Sequence, residues 1–257
     1  MSTHVAPSPW PVFYHRWRLY LNTWRGSVFS SFLLPVMFLL GLGVSVGSYV
    51  DDSALGVPYA DFIAPGLLAS TAFQVAVNEA AWPVLGGFQW VRTYHAMRAS
   101  PLRPRDMVGG EILWIWLRAG TSAVGFLIVL ALFGIVRSPV ALLTVPAALL
   151  VAVAGCAPVI AYSASIRSDN WFALLFRFAV IPMSLFAGVF FPVEQLPLAA
   201  RWVAYATPLW HGVELCRAAT LGMPTTIGWL GHATYLALWA VAGYLLAVHR
   251  FTRRLTD

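Results

Sequence analysis

The stretch SPVALLTVPAALLVAVAGCAPVIAYSASI, residues 138–166, contains no charged side chain. A helix that crosses a bilayer needs about 20 predominantly apolar residues, so this stretch is long enough to span one. A transmembrane β-barrel would instead show short segments of alternating polarity. The stretch therefore predicts a membrane-spanning α-helix.

Five further uncharged runs have the same character, namely residues 26–50, 62–78, 119–136, 178–193 and 218–249. Three of these runs are short and must be extended over flanking charges to cross a membrane. We therefore predict an all-α polytopic membrane protein that forms a single transmembrane domain over residues 1–257, with six transmembrane helices. The predicted spans are 26–50, 60–86, 107–136, 138–166, 171–192 and 224–249.

The composition excludes a water-soluble domain and several kinds of activity. Charged residues make up 10% of the chain, whereas soluble domains average about 25%. All 16 basic residues are arginine, and without a lysine the chain cannot form a Walker A loop and hydrolyse ATP by itself. The arginines lie in separate clusters between apolar runs, which indicates orientation in a lipid bilayer and not binding of nucleic acid.

The arginine distribution orients the predicted bundle. On one side lie 12 of the 16: Arg16, Arg18, Arg25, Arg92, Arg98, Arg103, Arg105, Arg167, Arg177, Arg250, Arg253 and Arg254. Because basic residues concentrate on the cytoplasmic side of membrane proteins, both termini are predicted to be cytoplasmic. Residues 89–106 then form the longest cytoplasmic loop.

Residues 9–25 are predicted to form an interfacial amphipathic helix. Apolar side chains recur at helical spacing on one arc: Trp10, Phe13, Tyr14, Trp17, Tyr20, Leu21 and Trp24. Arg16 and Arg18 fall outside that arc, and an aromatic face opposite a basic face is typical of a helix in the headgroup layer. The alternative is that this segment extends the first span.

Residues 193–222 are too polar for a spanning helix and too apolar for a solvated loop. Thr207 followed by Pro208 predicts an N-cap and a first helical residue, and Glu214 can pair with Arg217 one turn later. We predict a re-entrant extracytoplasmic hairpin of two short helices. We interpret it as an outer gate that includes Glu194, Pro208, His211 and Glu214.

Two stretches resemble the permease subunit of type-2 ABC exporters. They are AMRASPLRPRDMVGGEILW, residues 96–114, and FFPVEQLP with ATPLWHGVELCRA, residues 190–197 and 206–218. The chain looks most like the subfamily that contains the nodulation lipo-oligosaccharide and daunorubicin-type drug export permeases. The resemblance covers essentially the whole sequence.

This resemblance implies a bacterial inner-membrane protein that pairs with a second permease subunit, as a homodimer, and with two copies of a nucleotide-binding ATPase subunit. ATP would be bound by that partner, and the chain itself would hold no cofactor. The loop between spans two and three would form a short coupling helix on the ATPase and present Arg92, His95, Arg98, Arg103 and Arg105. Pro101 and Pro104 would end this helix and turn the chain into span three. The alternative is that these arginines only fix the topology.

Of the charged residues within predicted spans, three are informative: Glu79, Glu111 and Arg118. Each costs about 2.5–3.5 kcal/mol at a helix centre on insertion scales. Glu111 and Arg118 lie about 10 Å apart along one helix, too far to pair directly. We predict a Glu79–Arg118 pair that clamps spans two and three, with separate extension of each side chain to the interface as the alternative.

No residue pattern indicates catalysis or a metal site. His211 and His232 lack ligand spacing of the HExxH kind and are interpreted as structural, and no nucleophile motif of the GxSxG kind is present. The predicted function is the permease of an exporter for a lipophilic or amphipathic substrate. A stand-alone proton-coupled secondary transporter, with Glu79 or Glu111 as the proton carrier, is the alternative, and an intramembrane enzyme is the least favoured.

Overall fold

The computed structural model describes residues 8–22, 24–26, 33, 36–46, 56–136 and 138–256, and every regular element within these residues is a helix. Most of the predicted first span, 26–50, lies outside the described residues. The part of it that is described includes a π-helix, Leu39–Val46.

Four described helices are long and apolar enough to cross a membrane. They are α2 (Tyr59–Gln89), α4 (Pro104–Leu132), α5 (Thr144–Ser165, entered through the 3-10 turn Pro139–Leu143) and α10 (Gly228–Thr256). They overlap the predicted spans two, three, four and six, with bounds that differ by up to seven residues. The prediction of an all-α, multi-pass membrane protein is confirmed, while the count of six spans stays a prediction.

Helix α2 lies at the centre of the bundle. In its most apolar stretch 72% of the residues are buried, against 22% for α10. Close packing around α2 depends on small residues, because a Cβ on Gly155 of α5 would lie 2.5 Å from the Phe73 ring of α2. Helix α10 therefore lies at the periphery and exposes most of its apolar surface.

The predicted fifth span is divided. It consists of α6 (Asn170–Leu175), a π-helical turn (Phe176–Val180) and α7 (Ile181–Phe186). The helical segment ends at Phe186 and not at residue 192, because Gly188 adopts a left-handed φ of 80°, which favours glycine. The chain therefore leaves the helix before the predicted end of the span.

Two short helices lie at the arginine-rich end of the bundle, hereafter the basic end. Helix α1 (Trp10–Tyr20) packs on α4, where a Cβ on Gly110 would lie 2.5 Å from the Cβ of Val12. Helix α3 (Thr93–Arg98) follows α2 after Arg92, which adopts a φ of 55°.

The predicted hairpin forms α8 (Leu198–Tyr205) and α9 (Pro208–Leu221). Thr207 caps α9 by accepting a hydrogen bond from the Trp210 backbone N–H, as the sequence indicates. Helix α9 is almost entirely buried, and a Cβ on Gly212 would lie 2.7 Å from Val151 of α5. The hairpin is therefore part of the bundle, and its entry into the outer leaflet stays a prediction.

Candidate functional site

Three side chains from three helices meet at the basic end. The Arg16 Nε of α1 lies 3.0 Å and 2.9 Å from the two carboxylate oxygens of Glu111 on α4. The Tyr94 hydroxyl of α3 donates to Glu111 Oε1 at 2.7 Å, and Arg16 Nη2 lies 3.5 Å from that hydroxyl. We call these residues the Arg16–Glu111–Tyr94 cluster; it joins α1, α3 and α4 through one carboxylate.

The cluster is largely shielded from solvent. Glu111 is 2% exposed and Tyr94 is 1% exposed. Burial alone would lower the pKa of the Arg16 guanidinium, but the Glu111 carboxylate outweighs burial and raises that pKa above its ordinary value. Burial, and after it the Glu111 carboxylate, raises the pKa of the Tyr94 hydroxyl. At neutral pH Arg16 is therefore a cation and Tyr94 a neutral donor to Glu111.

Helix α3 is also fixed to α2 and α10. The Tyr94 ring packs against Phe88 of α2 and Phe251 of α10, with ring centroids 4.6 Å and 5.0 Å away. Arg98 donates to the backbone carbonyl of Leu255 near the end of α10. A six-residue helix has little stability of its own, so these contacts determine where α3 lies.

The five residues predicted to contact an ATPase do not all lie on one surface. Arg92 and His95 line a cleft with the last turns of α10. Arg98 binds the end of α10. Arg103 is the N-cap of α4, and Arg105, with 58% of its side chain exposed, lies 4.0 Å from Asp106. All five are exposed, and their predicted contact with an ATPase stays a prediction.

Gly87 determines how closely α3 can approach α2. A Cβ at this position would lie 2.4 Å from the Tyr94 ring, so the ring or the whole of α3 would have to shift. We expect Gly87→Ala to displace α3 and lower ATP-driven transport at least tenfold, although alanine favours the helix by about 1 kcal/mol. Transport in proteoliposomes measures the effect.

Gly109→Ala is the matched control, because its Cβ would lie 3.4 Å from Pro9, an ordinary contact. This variant gains the same helix propensity without displacing Tyr94. Equal transport by the two variants would show that the position of α3 does not matter.

A second charged cluster lies deeper in the bundle. Arg118 Nε of α4 lies 3.2 Å from Glu79 Oε1 of α2, so the structure brings together the two residues predicted to pair. Trp114 Nε1 donates to Glu79 Oε2 at 3.1 Å, and Arg118 Nη1 donates to the Tyr20 hydroxyl at 3.1 Å. The cluster therefore joins α1, α2 and α4, while its role as a clamp stays a prediction.

The Glu79–Arg118 contact is tested by a double-mutant cycle with Glu79→Gln and Arg118→Gln. Because both side chains are mostly buried, we expect a coupling free energy of about 1–2 kcal/mol in thermal stability, within the range for contacting residues. Strictly additive losses would show that the two side chains act independently. Arg103→Gln combined with Glu79→Gln serves as the control, since Arg103 lies outside this cluster.

At the opposite end of the bundle, Arg217 of α9 is 7% exposed. Its Nη2 donates to the Gly188 carbonyl at 2.7 Å, its Nη1 lies 3.4 Å from Glu214, and its guanidinium lies 3.9 Å from the Phe62 ring centroid. Of the predicted gate residues, Pro208 and His211 are buried, Glu214 is half-buried and Glu194 is exposed. The structure therefore places them at different depths, and gating stays a prediction.

His211 and His232 lie on different helices, α9 and α10, as the sequence indicates, but they are in contact. Their Nδ1 atoms lie 2.9 Å apart, and His211 Nε2 lies 3.1 Å from the Tyr205 carbonyl. In the part of the chain that the structure describes, no group of three or more His, Cys, Asp or Glu side chains could hold a metal ion. The pair joins the hairpin to α10, and its structural role stays a prediction.

Sequence reasoning did not identify Arg16 and Tyr94 as members of the site. Arg16 was expected on the headgroup face of α1, whereas the structure places it against Glu111. One signal was available, because a carboxylate at a buried helix position requires a cationic or hydrogen-bonding partner. Which arginine supplies it depends on the packing of α1 on α4.

Known proteins resemble this chain over nearly its whole length. The family model of the ABC-2 type transporter matches residues 12–221. Nodulation protein J of Rhizobium leguminosarum bv. viciae is 30% identical over 243 residues, which are 93% of each chain. Nodulation protein J of Neorhizobium galegae is 26% identical over 261 residues, covering 100% of this chain and 99% of the relative.

The family match includes both charged clusters and helix α3, because all of their residues lie within 12–221. The family inferred from the sequence motifs is confirmed by this match and by the relative at 30% identity. The chain is a transmembrane permease that belongs to the ABC-2 type transporter family.

Proposed function

We propose that the chain is the permease subunit of an ABC exporter that is powered by a separate ATPase subunit. The observation that carries this proposal is the attachment of the short helix α3 to the bundle through Tyr94. This side chain contacts the carboxylate of Glu111 on α4 and the rings of Phe88 and Phe251 on α2 and α10. A force applied to α3 therefore reaches three long helices through one buried residue.

The exposed side of α3 is where an ATPase would bind. Ala96 and Arg98 are exposed outside the cleft, while Tyr94 between the helices is buried. Movement of α3 would carry Glu111 with it, and Arg16 would transmit the movement to α1. Rigid shifts of packed helices of this kind are a common means of switching between two states of a transporter.

In this arrangement the basic end faces the bacterial cytoplasm, as the distribution of arginines favours. Both termini lie on that side. Two ATPase subunits bind ATP, and a second copy of this chain completes the transporter as a homodimer. The chain itself binds no ATP and carries out no chemical reaction.

The cargo is proposed to be lipophilic or amphipathic: a drug, a lipid or a lipid-linked glycan. Two carboxylates on the long helices are each held by an arginine, since Glu79 binds Arg118 and Glu111 binds Arg16. The outward face of α4 exposes Leu113, Trp116 and Ile128 to its surroundings. Such a surface attracts apolar groups and offers no charge to an ion.

The same ion pairs weigh against a proton-coupled transporter. A proton carried by Glu79 or Glu111 would first have to break the contact of that carboxylate with an arginine. Breaking a buried ion pair is costly, about 3–5 kcal/mol when one partner is lost.

Transport in proteoliposomes distinguishes the two mechanisms. The chain is reconstituted with and without its ATPase subunit, and a fluorescent lipid and a lipophilic dye serve as cargo. We expect export that requires both ATP and the second subunit and that is insensitive to an uncoupler. Uncoupler-sensitive transport without the ATPase subunit would overturn the proposal.

A further inference from the structure

A cleft of about 600 Å³ lies at the basic end, where α2, α5 and α10 end and α3 begins. Phe88 and Ala164 form its apolar floor. Its remaining wall carries an unusual concentration of positive charge. The basic residues that line it are Arg92, His95, Arg167, Arg250, Arg253 and Arg254.

The charge in this cleft is not balanced by the described part of the protein. None of the described aspartate or glutamate side chains forms an ion pair with any of these five arginines. Arg254 donates to the Ser163 carbonyl at 2.9 Å and lies over the Phe88 ring. The C-termini of three helices supply only about half a negative charge each, so the described groups leave the cleft with a positive excess.

We propose that this cleft binds the phosphate groups of an anionic phospholipid, and that a headgroup with two phosphates, as in cardiolipin, fits it best. A guanidinium binds a phosphate through two parallel hydrogen bonds, so several arginines in one cleft favour phosphate over a single carboxylate. Basic pockets between transmembrane helices are known to hold such headgroups.

The surroundings favour a lipid over a protein partner. Trp90 and Trp171, which are 62% and 53% exposed, lie close in sequence to the lining residues Gln89 and Arg167. Exposed tryptophans mark the level of the membrane–water interface. Leu245 and Leu246, which are 61% and 45% exposed, precede Arg250 on α10 by about one turn. Acyl chains of a lipid whose headgroup lies in the cleft could therefore pack along α10.

The proposal is tested by native mass spectrometry of the purified full chain, titrated separately with cardiolipin, phosphatidylglycerol and phosphatidylethanolamine. The cleft variant combines Arg92→Gln, Arg250→Gln and Arg253→Gln. The control variant combines Arg18→Gln, Arg103→Gln and Arg105→Gln, which lie outside the cleft. Both variants lose three positive charges, so that attraction to any anionic lipid falls equally except at the cleft.

We expect the native chain to retain cardiolipin most strongly and phosphatidylethanolamine least. The cleft variant should bind cardiolipin about 100-fold more weakly, because each arginine near an anionic lipid surface contributes about fivefold. The control variant should bind it nearly as well as the native chain.

Equal loss of cardiolipin binding in the two variants would overturn the proposal, and so would displacement of cardiolipin by free pyrophosphate at equal effectiveness. If the cleft variant binds lipid normally but no longer retains the ATPase subunit, the cleft is a binding site for that protein partner instead.

Discussion

Replacing Glu111 with alanine is expected to destabilise the folded protein by about 3–5 kcal/mol, because Arg16 is then left partly buried without its carboxylate. Glu111 is 2% exposed and also accepts the hydrogen bond from Tyr94. Both free cysteines, Cys156 and Cys216, are buried, so the reaction of a thiol-specific fluorescent dye during heating reports unfolding. The midpoint of that transition should fall sharply in Glu111→Ala.

A paired substitution separates the ion pair from the loss of a single charge. The double variant Arg16→Met, Glu111→Leu removes both charges and fills the space of the two side chains with apolar groups. Such replacements of buried ion pairs are often neutral or stabilising, but here the Tyr94 hydroxyl also loses its acceptor, so the double variant should recover part of the lost stability. If the double variant is as unstable as the sum of the two single variants, the two side chains do not depend on each other.

Replacing Tyr94 with alanine is expected to abolish ATP-driven transport and to cost about 3–5 kcal/mol of stability, the range for removal of a buried aromatic side chain. The ring fills the space above Gly87 and between Phe88 and Phe251. Without it, α3 keeps only the partly buried Met97 and the hydrogen bond from Arg98 to Leu255 as attachments to the bundle. Transport and ATP hydrolysis are measured in the same proteoliposomes.

Tyr94→Phe is the matched control, because it keeps the ring and removes only the hydroxyl that donates to Glu111. A hydrogen bond to a charged group contributes about 1.5–3 kcal/mol, so this variant should retain α3 in place and transport at a reduced rate. Full transport by Tyr94→Ala would contradict the proposed role of the ring.

The sequence predicted the bundle where local patterns determine structure. Uncharged runs located α5 and α10, and Thr207 with Pro208 marked the start of α9, whereas α4 begins at Pro104 and not at residue 107 as predicted. The Glu79–Arg118 contact could be inferred because the rise per residue fixes the heights of both side chains on neighbouring helices. These features depend on residues close together in the chain or on simple helix geometry.

The remaining features depend on packing between distant segments. Arg16 and Glu111 are 95 positions apart, and helical periodicity predicts only which face Arg16 occupies, not what that face contacts. The end of the predicted fifth span is set by Gly188, whose carbonyl binds Arg217 of α9. The contact of His211 with His232 likewise requires α9 and α10 to be packed together. Single-sequence patterns contain no direct information on such partners.

The central claim is that work from an ATPase enters this permease through α3. It is tested by replacing residues 92–98 with a glycine–serine linker of equal length and measuring the ratio of cargo exported to ATP hydrolysed in proteoliposomes that contain the ATPase subunit. We expect hydrolysis to continue and the ratio to fall to background, since α3 no longer joins the partner to Glu111. An unchanged ratio would contradict the account.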